Sequence, residues 1–117
     1  MEISKSYIDK LKDRLFKILP LMEEKNEGIT SYIDSLSYEI YGLQYLIDEN
    51  AQPLIITILS ILEHLYDDSL QPEINLRQVK RELFHCLDLI EKHYGDDANE
   101  LHWEVYKTIR RQRKQYN

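Results

Sequence analysis

The sequence predicts an all-α fold: a single domain, residues 1–117, of about five helices packed antiparallel as in a bundle. Three observations lead to this prediction. Apolar residues recur at spacings of three and four along most of the chain, as on the buried face of a helix. Only three glycines and three prolines interrupt it, too few for an all-β fold with a turn about every ten residues. The interruptions are also short, as between antiparallel neighbours.

The first helix is expected to begin near Ser4 or Ser6. Pro20 lies inside its apolar stripe, where it removes a backbone donor and crowds the preceding turn. The helix therefore either ends near Ile18 or is kinked there. Gly28 is expected to cap the C-terminus of this unit.

The second helix is expected to start from a cap at Thr30 and Ser31 and to have two different faces. One face is aliphatic and faces the core: Ile33, Leu36, Ile40, Leu43 and Ile47. At about 100° per residue, Tyr38, Tyr41 and Tyr45 fall roughly 160° away from that stripe. Two interpretations remain open. This second face packs under the first or the fifth helix, or it is an interaction surface, where tyrosine provides large contact area at low entropic cost.

The remaining helices are marked by their termini. Pro53 suits the first turn of a third helix, and the stretch PLIITILSILEHLY is apolar on nearly all sides, which predicts a central element. Asn75 and Gln78 form a capping-box pattern for the fourth helix, whose apolar stripe contains Cys86. A fifth helix is expected from Asp97 to the basic run RRQRKQYN.

The charge is unevenly distributed along the chain. The formal net charge is −6, but no lysine or arginine occurs between Asn26 and Leu76. From Leu21 to Leu76 eleven carboxylates face Lys25 alone. Such a tract is either a solvated surface or one that repels phosphate backbones and attracts a basic protein. The candidate partner-binding residues combine the acidic and aromatic side chains: Asp34, Tyr38, Tyr41, Tyr45, Asp48, Glu49, Asp67 and Asp68.

No catalytic, cofactor or metal signature is present, so the chain is not expected to be an enzyme. A di-metal helical bundle needs two Glu-x-x-His pairs, and only Glu82 and His85 make one. His85 and Cys86 are adjacent, so their side chains diverge by about 100° and cannot act as nucleophile and base. Cys86 is expected to be a small buried apolar residue. No phosphate-binding glycine loop or zinc-ligand spacing occurs.

The sequence favours a cytoplasmic protein. No stretch approaches the roughly 20 apolar residues of a membrane span, and the start MEISKSYIDK has no apolar signal-peptide core. A single cysteine, Cys86, cannot form an internal disulfide, which suits a reducing compartment.

In its size, acidity, helical character and aromatic–acidic residues, the chain resembles the immunity proteins that bacteria make against nuclease toxins, of the contact-dependent growth inhibition and colicin types. The resemblance implies an antitoxin that binds a basic toxin tightly and blocks its active site or substrate surface. No motif carries it, and it assigns no role to an individual residue. Charge complementarity agrees with such a role, since a nuclease is basic where it meets phosphate.

Two alternatives share part of these observations. Phage-encoded inhibitors of defence nucleases would use the same acidic surface. A nucleic-acid-binding regulator would instead use the run RRQRK, Arg110 to Lys114, although cations at a helix C-terminus also complement the helix dipole. The acidic middle of the chain argues against nucleic acid. The sequence does not specify the partner's identity or the oligomeric state.

Overall fold

A computed structural model describes residues 3–94, and this part of the chain is all-α. It contains no strand, and one short 3-10 helix, Glu49–Ala51, precedes the fourth α-helix. The α-helices are α1 Lys5–Phe16, α2 Ile18–Glu23, α3 Ile29–Leu43, α4 Gln52–Ser69 and α5 Leu76–Tyr94. The expected first helix is thus two helices, and the fifth helix expected from Asp97 lies outside the described residues.

The break between α1 and α2 is caused by Pro20. A proline lacks the N–H that would bond to the carbonyl four residues earlier, here that of Phe16, where α1 ends. The chain re-enters a helix at Ile18, and Leu19 and Met22 of α2 are buried. The discontinuity that Pro20 predicts is therefore present, and α1 ends two residues before the expected end near Ile18.

The turn between α2 and α3 differs from the expectation. Gly28 has φ −85°, so it is not a left-handed C-cap, and Lys25 takes the left-handed conformation instead (φ 53°). The Asn26 side chain accepts a hydrogen bond from the Gly28 N–H at 2.8 Å. Helix α3 therefore begins at Ile29, before the expected cap, and the Thr30 hydroxyl bonds to Ser69 of α4 at 2.9 Å.

Helix α3 ends sooner than its apolar stripe. After Leu43 the chain closes into tight turns, with the N–H groups of Gln44, Tyr45 and Leu46 bonding to carbonyls three residues earlier. The Gln52 side chain donates to the Gln44 carbonyl at 2.7 Å and ties this turn to the start of α4. Tyr45 and Ile47 are consequently placed by a turn, although sequence periodicity predicts a continuing helix.

Helices α3 and α4 form an antiparallel hairpin, because the start of α3 meets the end of α4 at the Thr30–Ser69 bond. Helix α4 also packs against α5. It is covered on more than one face, as expected of a central element: Ile55, Ile58 and Leu62 are buried, whereas Ile56 is 65 % exposed.

Helix α5 closes the fold by packing against α1, α2 and α4. The N-cap of the predicted capping box is confirmed, since the Asn75 side chain accepts the Gln78 N–H at 3.2 Å, but the Gln78 side chain donates to Glu82 at 3.1 Å instead of closing the box. Its predicted stripe is buried, including Cys86, which has no exposed surface. Burial raises the pKa of the Cys86 thiol to about 12.

A buried ion pair joins α1 to α5. The Lys12 ammonium lies 2.7 Å from the Glu91 carboxylate, and the two side chains are only 3 % and 9 % exposed. Asp9, one turn earlier on α1, lies 3.4 Å from the same ammonium. Periodicity alone assigns neither charge to the interior, so sequence reasoning missed this pair.

None of the helices in residues 3–94 combines the length and apolar character that crossing a membrane requires.

Candidate functional site

The tyrosine face is an exposed stripe on α3 and the turn after it, formed by Asp34, Tyr38, Tyr41 and Tyr45. Their spacings of four, three and four residues make them successive neighbours along one side of a helix. Tyr38, Tyr41 and Tyr45 are 73 %, 52 % and 73 % exposed, whereas Ile33, Leu36 and Ile40 on the opposite side are buried. The tyrosines therefore point away from the core.

Tyr41 and Tyr45 contact each other. Their ring centroids are 6.1 Å apart with an interplanar angle of 78°, an edge-on arrangement. Their hydroxyls are 3.5 Å apart, with that of Tyr45 donating. The hydrogen bond from Tyr45 and the proximity of the Tyr41 oxygen raise the pKa of the Tyr45 phenol. Two exposed aromatic rings thus contact each other on the protein surface.

A three-residue hydrogen-bond cluster fixes α3 to α1. The two terminal nitrogens of Arg14 donate to the two carboxylate oxygens of Glu39, and the distance from Nη1 to Oε1 is 2.7 Å. The Tyr7 hydroxyl donates to Glu39 at 2.5 Å. Tyr32 donates to the Arg14 carbonyl at 2.7 Å. Helix α1 therefore reaches α3 through Glu39 and Tyr32, on a side of α3 that leaves the tyrosine face open.

The pKa values in this cluster follow from these contacts. The hydrogen bond from Arg14 holds the pKa of Glu39 below its usual value, so Glu39 is ionised and paired. Burial, followed by Glu39, raises the pKa of Tyr7 to about 12. Of the eleven carboxylates in the acidic tract, Glu39 therefore serves to position α3 and is not available as surface charge.

Three of the predicted acidic residues lie near the tyrosines. Asp34 belongs to the stripe, and Asp48 and Glu49 follow the turn that holds Tyr45; all three are exposed. Burial and then the charge of Asp48 raise the pKa of Tyr94, the last described residue. These carboxylates give the tyrosine face a negative border.

Asp67 and Asp68 lie apart from the tyrosine end of the hairpin. They precede Ser69, which meets Thr30 at the start of α3, and α3 extends about 22 Å over its 15 residues. Asp67 is exposed, whereas Asp68 is half-buried between α4 and α5. The structure therefore does not place these two with Tyr41 and Tyr45, although both were predicted in the same set.

Asp68 is part of a second cluster, which the sequence did not reveal. Burial and then the Glu82 carboxyl group raise the pKa of Asp68 to about 6. One oxygen each of Asp68 and Glu82 is buried without a hydrogen-bond partner, and His64 lies 3.9 Å from the other Glu82 oxygen. Glu82 thus faces α4, while His85 is exposed, so the Glu82 and His85 pattern does not converge.

Within residues 3–94, no group of three His, Cys, Asp or Glu side chains is arranged to hold a metal ion. A shallow groove of about 330 Å³ lies where α4 begins and α5 ends, next to Pro53 and Leu54. Lys92 and His93 line it as well, so its charge does not suit a basic partner. The basic run Arg110–Lys114 lies outside the described residues.

No family model, curated protein or solved structure matches this chain.

Proposed function

We propose that this chain is a non-catalytic binding protein that uses the tyrosine face to neutralise a basic protein, most simply as an immunity protein or antitoxin that blocks a nuclease toxin. The observation that carries the proposal is the exposure of Tyr38 and Tyr41 on a helix whose other side fills the core, and of Tyr45 on the turn after it. Tyrosines of this kind are enriched among the residues that dominate protein–protein binding.

The charge around the face supports a basic partner. No cation occurs between Asn26 and Leu76, while Asp34, Asp48 and Glu49 are exposed close to the tyrosines. A continuous negative surface speeds association with a positive one and repels nucleic acid. A nuclease must present cations to phosphate, so the same surface would attract it and occupy the site of its substrate.

The anchoring of α3 supports tight binding. Arg14 and Tyr7 hold Glu39, and Tyr32 holds the Arg14 carbonyl. The helix backbone beneath the tyrosines is therefore fixed before a partner arrives, which reduces the entropy lost on association. We place this activity in the cytoplasm, where a reduced Cys86 is expected.

The test is an inhibition assay with a purified basic nuclease encoded next to this chain, using Tyr41→Ala, Tyr45→Ala and the matched control Ile56→Ala. Ile56 is an equally exposed apolar side chain on α4. Each tyrosine variant should leave the melting temperature nearly unchanged and weaken binding by about 2 kcal/mol, or roughly 30-fold. The control should change neither.

Charge variants test the role of the border. Asp34→Asn with Asp48→Asn should slow association and reduce its salt dependence, with little change in dissociation. A large loss of melting temperature in the tyrosine variants, with unchanged binding per folded molecule, would contradict the proposal. Binding of duplex DNA by this chain, with loss of that binding in Arg110→Ala and Arg111→Ala, would also contradict the proposal.

A further inference from the structure

Gly42 interrupts the tyrosine face with bare backbone. It lies one helical turn after Tyr38 on α3, and its carbonyl accepts the Tyr45 N–H in the turn that follows the helix. The residue is exposed, and a Cβ placed on it would meet nothing within 4 Å. Its φ is not positive. Neither a close internal contact nor a special backbone conformation therefore requires glycine here.

A glycine in a helix carries a cost, because it loses more backbone freedom on folding than any other residue. Alanine would fit Gly42 without a clash and would favour the helix. What an alanine would change is the surface: its methyl group would cover backbone that is bare at Gly42, next to the tyrosines in sequence. The location of this glycine on the tyrosine face therefore suggests a role in contact with another molecule.

We propose that Gly42, together with Tyr38, Tyr41 and Tyr45, forms the seat for an arginine side chain of the basic partner. This inference rests on the proposed function. A guanidinium is flat and weakly hydrated, and it stacks on aromatic rings while its edge donates to carboxylates. Bare backbone at Gly42 lets that plane lie against the helix beside the tyrosines, and the exposed carboxylate of Asp34 lies about two turns earlier on the same helix. A lysine ammonium is compact and gains less from such a flat site.

The experiment titrates the full chain, labelled for NMR on its tyrosine rings, with a capped peptide of three arginines spaced by glycines. The peptide's lysine counterpart is titrated in parallel. Gly42→Ala is compared with Ser60→Ala, an exposed serine-to-alanine change on α4 that also favours its helix. Both variants should melt at a higher temperature than the unaltered chain.

The arginine peptide should shift the ring signals of Tyr38, Tyr41 and Tyr45 and bind several-fold more tightly than the lysine peptide. Gly42→Ala should weaken arginine-peptide binding about tenfold despite its higher melting temperature, and Ser60→Ala should not weaken it. If Gly42→Ala gains stability and loses peptide binding, Gly42 acts by contact with the peptide and not by supporting the fold.

Equal binding to Gly42→Ala and the unaltered chain, or equal binding of the two peptides, would overturn the inference. The inference would also be overturned if Arg110→Ala with Arg111→Ala changed the tyrosine ring signals of the peptide-free chain. The chain's own basic run would then occupy the seat. Signals that depend on protein concentration would overturn it in favour of a second copy.

Failure here is distinguishable from failure of the proposed function. A nuclease whose binding needs Tyr41 and Tyr45 but tolerates Gly42→Ala would overturn the arginine seat and leave the proposed function standing. An arginine peptide that binds at Gly42, with no inhibition of any neighbouring basic nuclease, would support the seat and contradict only the function.

Discussion

Replacing Lys12 by methionine should strongly destabilise the fold. The substitution keeps the apolar stem of a side chain that is 3 % exposed and removes the ammonium 2.7 Å from Glu91. The Glu91 carboxylate, 9 % exposed, then remains between α1 and α5 without its counter-ion. Leaving one member of a buried ion pair without the other costs about 3–5 kcal/mol. Because domains are stable by only about 5–15 kcal/mol, we expect a large loss of the free energy of unfolding.

The double variant Lys12→Met with Glu91→Leu should recover most of that loss. Removing both charges also removes the cost of desolvating them, and apolar replacements of buried ion pairs are often neutral or stabilising. Unfolding in urea at neutral pH, followed by helical circular dichroism, gives the free energy of unfolding of the unaltered chain, of Lys12→Met and of the double variant. Lys10→Met, an exposed lysine on the same helix, is the control and should change stability by less than about 0.5 kcal/mol.

The reasoning would be refuted if Lys12→Met cost no more than Lys10→Met. It would also be refuted if the double variant were as unstable as Lys12→Met alone. Either result would mean that Glu91 is solvated and that α1 does not pack on α5 at this point.

Three further predictions follow from the titratable groups. The pKa of Asp68 is raised to about 6 in the fold, so its protonated form stabilises the protein at low pH, and that stability is lost as the pH rises through 6. The variant Asp68→Asn should therefore be more stable than the unaltered chain by about 1–2 kcal/mol at pH 8, allowing for partial solvent exposure, and no more stable below about pH 4. Glu39→Gln should cost about 1 kcal/mol in urea unfolding, since it weakens a partly exposed bidentate pair, and should bring the pKa of Tyr7 down from about 12 in a titration followed by NMR. Cys86 is fully buried with its pKa raised to about 12, so a thiol reagent should modify it only at the rate of unfolding; rapid labelling of the folded chain would contradict the packing of α5.

The sequence predicted those features that depend on local periodicity. The all-α class, the position of Tyr38 and Tyr41 opposite the core stripe, and the buried position of Cys86 all follow from the phase of a single helix. A cap is equally local, and the pattern of Asn75 and Gln78 predicted the start of α5 correctly.

Features that depend on partners far apart in the chain were not predictable. Glu39 was counted as one more surface carboxylate, and its pairing with Arg14 joins residues 25 positions apart. Asp68 was placed with the partner-binding acids, although Glu82 of another helix determines its environment. Periodicity gives the direction of a side chain from its own helix but not which helix lies opposite it.

Turns were the other source of error, for a local reason. Several turn chemistries satisfy the same backbone groups. The Asn26 side chain and a left-handed Lys25 replaced the expected Gly28 cap. The apolar period continues to Ile47, so the sequence predicted a helix past Leu43, whereas α3 ends at Leu43 and the chain turns there.

The ion pair between Lys12 and Glu91 also has a consequence for synthesis on the ribosome. The two residues are 79 positions apart, so at about 5–20 residues per second Lys12 is made roughly 4–16 s before its counter-ion. Helix α1 can bond to Glu39 of α3 during that interval but cannot complete its packing, because α5 is still missing, while α3 and α4 already have each other as partners. Folding of the nascent chain should therefore begin in the middle, and the first helix to be translated should be among the last to be packed.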